Sequence, residues 1–136
     1  MIVARSAAAI VAVAGVAGHA QACGEALPGA PTIVENSRYA IAYVTAPRPI
    51  EVGRHFIVDF EVCPRTDAAA PQSVRVDANM PEHRHGMNYR AGVTPVKPGM
   101  YRAEGLLFHM PGRWDLTFDV VSGNTTERLA SVVRVE

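Results

Sequence analysis

Methionine and histidine side chains crowd into one short stretch of this 136-residue chain. Its tightest part reads Met-Pro-Glu-His-Arg-His-Gly-Met, over residues 80–87. Thioether sulfur is a soft ligand that favours Cu(I), and imidazole nitrogen binds copper in either oxidation state. The pattern therefore predicts a copper site, for Cu(I) or Cu(II), in a loop rich in proline and glycine. The four main candidate ligands are Met80, His83, His85 and Met87.

The spacing of three of these residues would place them on one face of the chain. In an extended backbone alternate side chains point the same way, and their Cα atoms lie about 6.5–7 Å apart. His83, His85 and Met87 have that parity. Met100 and His109 are flanking candidates with less support.

Other residues of the same two types are expected to be structural. Met110 shares parity with Leu106 and Phe108, so we expect it in the core and His109 to point the other way. His55 alternates with the inward residues of its strand and is predicted to lie on the surface. For the cluster itself, the alternative is a solvated H-x-H turn with methionines that fill gaps in the core.

The N-terminus has the three parts of a secretory signal peptide. Arg5 precedes an apolar run that is too short for a membrane span, and a small-x-small cleavage sequence, Ala-Gln-Ala, ends at residue 22. We therefore expect residues 1–22 to be a signal peptide and residues 23–136 to form an exported, periplasmic domain. Cleavage before His19 is an alternative that would expose an N-terminal histidine, which can chelate Cu(II).

Cys23 and Cys63 are the two cysteines of the chain. In an exported protein two cysteines most simply form one disulfide, and no C-x-x-C spacing favours a metal or redox pair instead. Lipidation of Cys23 is a weaker alternative. The preceding Ala-Gln-Ala fits a lipoprotein signal poorly, and lipidation would leave Cys63 without a partner.

Composition excludes several classes of function. The chain has 13 Lys+Arg and 13 Asp+Glu, so its formal net charge is 0 and it has no basic patch for nucleic acid. It lacks a Ser-His-Asp arrangement in a supporting motif, a glycine-rich phosphate loop and paired acids in a plausible cleft, so no enzymatic activity is expected.

A period of two in hydrophobicity predicts strands rather than helices. Short strands separated by turn signals indicate an all-β fold, an antiparallel immunoglobulin-like β-sandwich of about six to seven strands. Trp114 is expected to be its central core aromatic, packed with Phe60 and Phe118. The predicted strands lie at about residues 38–45, 55–62, 73–78, 93–96, 100–108, 114–120 and 127–135.

Three segments resemble the YtkA-like/FixH-like domain family, a likeness that covers roughly residues 33–135. The segments are Val76-Asp77-Ala78-Asn79-Met80-Pro81-x-His83-x-His85-Gly86-Met87, Gly99-Met100-Tyr101 and Phe108-x-Met110-Pro111-Gly112-x-Trp114-Asp115-Leu116. The resemblance implies a small exported or membrane-tethered immunoglobulin-like domain, linked to copper handling or to assembly of copper-containing respiratory oxidases. FixH-type proteins usually have an N-terminal membrane anchor, whereas this leader looks cleavable, which favours a free periplasmic protein.

Together these features predict a periplasmic protein that carries, buffers or delivers copper through its His/Met loop. The expected partners are a copper ion, with a copper-requiring membrane protein or a second copy of the chain as further candidates. The alternative is a non-metal structural or interaction module, for example an accessory factor in assembly of a respiratory oxidase.

Overall fold

The computed structural model describes residues 21–136, and every regular element in that range is a β-strand. Most of the expected signal peptide and the alternative N-terminal His19 lie outside the described residues. No helix in the described part of the chain is long and apolar enough to cross a membrane. The strands are β1 (Thr32–Glu35), β2 (Tyr39–Ala46), β3 (His55–Pro64), β4 (Ser73–Met80), β5 (His85–Gly86), β6 (Gly92–Lys97), β7 (Met100–Leu107), β8 (Gly112–Ser122) and β9 (Thr125–Val135).

The strands form two antiparallel sheets. One has the order β1-β2-β3-β7-β6 and the other β5-β4-β8-β9. Without β1, these orders are those of the immunoglobulin fold, in which strands A-B-E-D form one sheet and C′-C-F-G the other. The predicted fold is confirmed. The described residues form nine strands rather than six or seven, because β1 and β5, of four and two residues, were not predicted.

The core lies between the sheets and is built from the alternating inward positions. In β3 these positions include Phe56, Val58 and Phe60, which are almost fully buried. Trp114 is fully buried, as predicted, but its ring stacks on Phe108 with a centroid distance of 4.4 Å and an interplanar angle of 7°. Phe60 packs instead against Phe118, at 5.2 Å.

The N-terminal segment of the described chain covers the outer face of the first sheet. The predicted disulfide is confirmed, with the Cα atoms of Cys23 and Cys63 6.0 Å apart. Next to it, Gly24 lies so close to β2 that a Cβ added there would come within 2.5 Å of the Ala42 Cβ. Leu27 is also buried. Ala40 and Ala42, which alternate with the inward-facing residues of β2, are therefore buried as well.

Strand directions place the connections at two ends of the sandwich. One end carries the loop 47–54, the turn 81–84 and the loop 108–111, while the disulfide lies at the other end, where β3 finishes. A backbone hydrogen bond of 2.8 Å from the Gly53 N–H to the Phe108 carbonyl joins two of these connections. The sequence-predicted histidine loop therefore lies at the end remote from the disulfide.

Candidate metal centre

A tight turn between β4 and β5 brings the H-x-H motif to the edge of the second sheet. The Met80 carbonyl accepts backbone hydrogen bonds from His83 (3.2 Å) and Arg84 (2.9 Å), and Arg84 adopts a left-handed conformation with φ 56°. The chain then pairs with β4, with His85 opposite Met80. Residues directly opposite each other project to the same face of a sheet, so His85 follows Met80 towards the interior.

Three imidazole rings form a row at this end of the sandwich, with His85 in the middle. The His85 ring centroid lies 5.8 Å from that of His83 and 5.1 Å from that of His109. The rings of His83 and His109 are inclined to the ring of His85 by 29° and 33°. His83 is exposed, whereas His85 and His109 are half-buried. The structure thus joins the H-x-H motif to a histidine 24 positions further along the chain.

His109 reaches this row because the alternation of β7 breaks down at its end. Leu106, Leu107 and Phe108 are all buried, so the inward-outward pattern no longer holds when the chain reaches His109. Its ring lies 5.4 Å from the indole of Trp114 at an angle of 78°. The expectation that His109 points away from the interior is therefore wrong.

The indole ring of Trp114 lies beside the histidines and is held in a fixed position. Its indole N–H donates a 3.1 Å hydrogen bond to the Met110 carbonyl, and its ring stacks on Phe108. The His85 ring lies 6.1 Å away at 67°, and the His109 ring is closer. Trp114 was expected only in the core. The Met-Pro-Gly-x-Trp segment begins directly after His109. This was the one sequence signal that Trp114 could also border the candidate site.

The two half-buried histidines, His85 and His109, are the inner histidines of the row. Each has a ring nitrogen that could bind a metal. His85 Nδ1 lies 3.1 Å from the Gly86 carbonyl oxygen, so a proton on Nδ1 is donated to that oxygen and Nε2 remains available. Metal-binding histidines commonly use one nitrogen in this way. His109 Nδ1 is buried and has no hydrogen-bond partner among residues 21–136. A buried nitrogen without a partner costs free energy, which a bound ion would recover.

Two comparisons relate this chain to known proteins. A family model described as YtkA-like matches residues 34–119, more than half of the chain. This chain belongs to the YtkA-like family. Among solved structures it is similar to a DUF4426 family protein from Pseudomonas aeruginosa PAO1, with a TM-score of 0.51 and 8% identity, over 76% of this chain and 93% of that one. This second likeness shows the fold alone. The comparison with curated proteins finds no match.

Three methionines of this YtkA-like domain lie in the segments that carry the histidines, and they differ in burial. Met80 is 1% exposed and belongs to the core, directly beneath the turn. Met87 is half-buried against the core, and its N–H donates a 3.2 Å bond to the Ala78 carbonyl next to β5. Met110, also half-buried, packs against the core as predicted. Met87, two positions after His85 in the chain, is partly accessible to solvent, whereas Met80 is not.

Met100 is not brought to the cluster. It begins β7, opposite Glu61, whereas the histidine row lies beyond the other end of that eight-residue strand. At about 3.3 Å per residue the separation is about 23 Å. His55 is exposed, as predicted, and its ring packs against Tyr89 at 5.1 Å instead of joining the row.

The histidine row of the YtkA-like domain is an open arrangement rather than a closed chelate. Among the His, Cys, Asp and Glu side chains of residues 21–136, Cys23, Glu61 and Cys63 form the one group of three whose potential ligand atoms all lie within 4.8 Å of each other. The disulfide consumes both thiols of that group, so it is no metal site. The three imidazoles would need rotation of a side chain to bind one ion together, and exposed His83 has room for it.

Proposed function

We propose that this domain is an exported, periplasmic copper-binding protein that carries, buffers or delivers the metal. The observation that supports the proposal is the row His83-His85-His109, in which the middle ring lies within 5.8 Å of both neighbours. Imidazole with nearby thioether is a donor set that suits copper. Three histidines from two separate connections have no need to meet in a domain that uses its loops only as a solvated surface.

The proposed ligands differ in part from the set expected from the sequence. His85 and His109 form the half-buried base of the site, and His83 from the exposed turn completes it. Met87 is the thioether candidate, because Met80 is enclosed by the core and Met100 lies at the far end of β7. Transfer proceeds by ligand exchange: the exposed His83 leaves the ion first and a recipient's ligand takes its place.

Copper titration of the exported protein tests this proposal. Wild-type protein should bind one copper ion more tightly than micromolar, measured by competition with a chromophoric chelator. His85→Ala and His109→Ala should each weaken binding by about 100-fold or more, beyond the usual effect of losing an outer-shell contact.

His55→Ala is the matched control for this titration. It removes an exposed imidazole that contacts Tyr89 and lies outside the row, so copper affinity should stay unchanged. If wild type binds copper no more tightly than micromolar and His85→Ala changes nothing, the domain is an interaction module rather than a copper carrier. Mass spectrometry of the exported protein checks the expected start at Cys23 against a start at His19 and against lipidation.

A further inference from the structure

We propose that the site selects Cu(I) over Cu(II), and that Trp114 is the residue that determines this specificity by direct contact with the bound ion. The inference rests on the proposed copper function and specifies its cargo. It assigns to the indole a role in binding in addition to its role in the core.

The first support is the position of the indole relative to the two inner imidazoles. Phe108 covers the stacked face of Trp114 at 4.4 Å, while His85 and His109 meet the indole at steep angles and at 6.1 and 5.4 Å. An ion held between those two histidines lies beside the indole. A cation within about 6 Å of a tryptophan ring is attracted by the ring's quadrupole, most strongly where water is excluded.

The second support is the rigidity of the indole. Stacking on Phe108 and the hydrogen bond from the indole N–H to the Met110 carbonyl hold the ring in place. Trp114 itself is fully buried, so bulk water does not reach the ring. The indole nitrogen is occupied by that bond, which leaves the π system as the part that can face a cation.

The third support is the chemistry of the side chains around the inner histidines. Cu(II) prefers a tetragonal set of nitrogen and oxygen ligands, whereas Cu(I) is satisfied by soft donors. Around His85 the structure offers further imidazoles and the indole of Trp114, and the half-buried Met87 follows two positions along the chain. A singly charged ion also loses less hydration energy than a doubly charged one when it enters such a site. Both effects favour Cu(I).

The chain carries its own reporter for this contact, because it contains one tryptophan. We would titrate the full exported protein anaerobically with Cu(I), with Ag(I) as a redox-inert probe of the same charge, and separately with Cu(II). Cu(I) and Ag(I) should change Trp114 emission up to one equivalent. Cu(I) should bind at least about tenfold more tightly than Cu(II). His109→Ala should remove the fluorescence response, and His55→Ala should preserve it.

Trp114→Phe separates the indole contact from the histidine ligands. Phe keeps an aromatic ring on Phe108 but is a weaker cation partner, so Cu(I) affinity should fall by about three- to tenfold. Cu(II) affinity, which depends on the imidazoles, should stay within about twofold. Equal losses for both ions would mean that the substitution only displaced the histidines, and this would overturn the inference.

The outcomes separate this inference from the copper proposal. Failure of both Cu(I) and Cu(II) to bind refutes the proposed function. Binding of Cu(II) as tightly as Cu(I), or Cu(I) binding that leaves Trp114 emission unchanged, refutes the selectivity while copper binding stands. If Trp114→Phe does not fold, the wild-type titration decides, because emission and relative affinity are both measured on the unaltered protein.

Discussion

At the scale of single residues, His85 is the side chain on which the candidate site depends. It contacts the rings of both other histidines, and its pairing with Met80 aims it towards the interior. Met80, a predicted ligand, is itself enclosed by the core. Val74 and Val76 are inward residues of β4 and Met80 follows them at the same even spacing, so its burial could have been predicted from the sequence.

A second residue-scale feature is Asp119, on the outer face of the second sheet. Arg128 donates from Nε and Nη2 to its two carboxylate oxygens, at 2.7 and 2.8 Å. These hydrogen bonds from Arg128 lower the pKa of Asp119 below its ordinary value, although partial burial opposes the shift. The carboxylate is 13% exposed, which limits screening by solvent. Folding is therefore linked to its ionisation.

The stability due to this pair should depend on pH. Because the folded-state pKa of Asp119 is lowered, its contribution is complete above the unfolded value of about 3.9 and is lost as the pH falls through the folded value. Asp119→Asn should lower the free energy of unfolding by about 1 kcal/mol at pH 7 and by progressively less below pH 4. Urea unfolding between pH 7 and pH 2 measures both.

Arg128→Gln supplies the control for this pH series. In that background the carboxylate lacks its main donor, so Asp119→Asn should have a much smaller effect at pH 7. An Asp119→Asn difference that stays constant down to pH 2 would contradict the linkage, since a constant loss reflects packing rather than ionisation.

At the scale of elements, the long strands were predictable and the short ones were not. Strands such as β3 and β8 bury alternate residues over ten and eleven positions, which produces a clear period of two. β5 has two residues and exists because the preceding turn returns the chain to β4. A segment of two residues is too short to show a period in hydrophobicity. The approach of His109 to this strand depends on the loop 108–111, whose conformation no local pattern specifies.

The start of β8 is fitted closely to the floor of the site. Gly112 has φ 124°, a region that residues with side chains rarely adopt, and a Cβ built there would come within 2.9 Å of Met80 Cε. A side chain at this position would strain the backbone and displace Met80. Met80 in turn pairs with His85, so the effect should extend to the histidine row.

Gly112→Ala should therefore lower both stability and copper affinity. The expected loss is about 1–3 kcal/mol in the free energy of unfolding, from the strained backbone conformation. Thermal unfolding and the chelator competition measure the two effects. Gly92→Ala is the control, because an added Cβ at Gly92 has open space. Equal stability and equal copper affinity of Gly112→Ala and Gly92→Ala would contradict this prediction, because Met80 and the backbone would then accommodate the added Cβ without loss of free energy.

At the scale of the whole molecule, the sandwich separates a structural end from a candidate binding end. The disulfide fixes the N-terminal segment where β3 finishes, and the histidines lie near where that strand begins. Ten residues of β3 span about 30 Å between these ends. The disulfide was predictable from two cysteines and an expected leader. The separation of the ends was not, because it follows from strand directions.

Replacing both cysteines by serine should reduce stability and leave copper binding intact. The disulfide closes a loop between residues 40 positions apart, and loss of that constraint on the unfolded chain is worth about 4 kcal/mol. Denaturant unfolding and copper titration at a temperature well below the transition measure the two quantities. A fall in copper affinity of the folded variant would show that the two ends are coupled.

The double role of Trp114, which fills the core and also borders the histidines, should limit which substitutions are accepted at this position during evolution. Under the proposed copper function, most substitutions of Trp114 that would change the metal preference also destabilise the sandwich. Natural proteins have little stability to lose. Drift at Trp114 is therefore constrained twice, whereas exposed His83 can change with little effect on folding. Under the proposed copper function, changes of metal preference should therefore arise in the turn 81–84 and leave the indole in place.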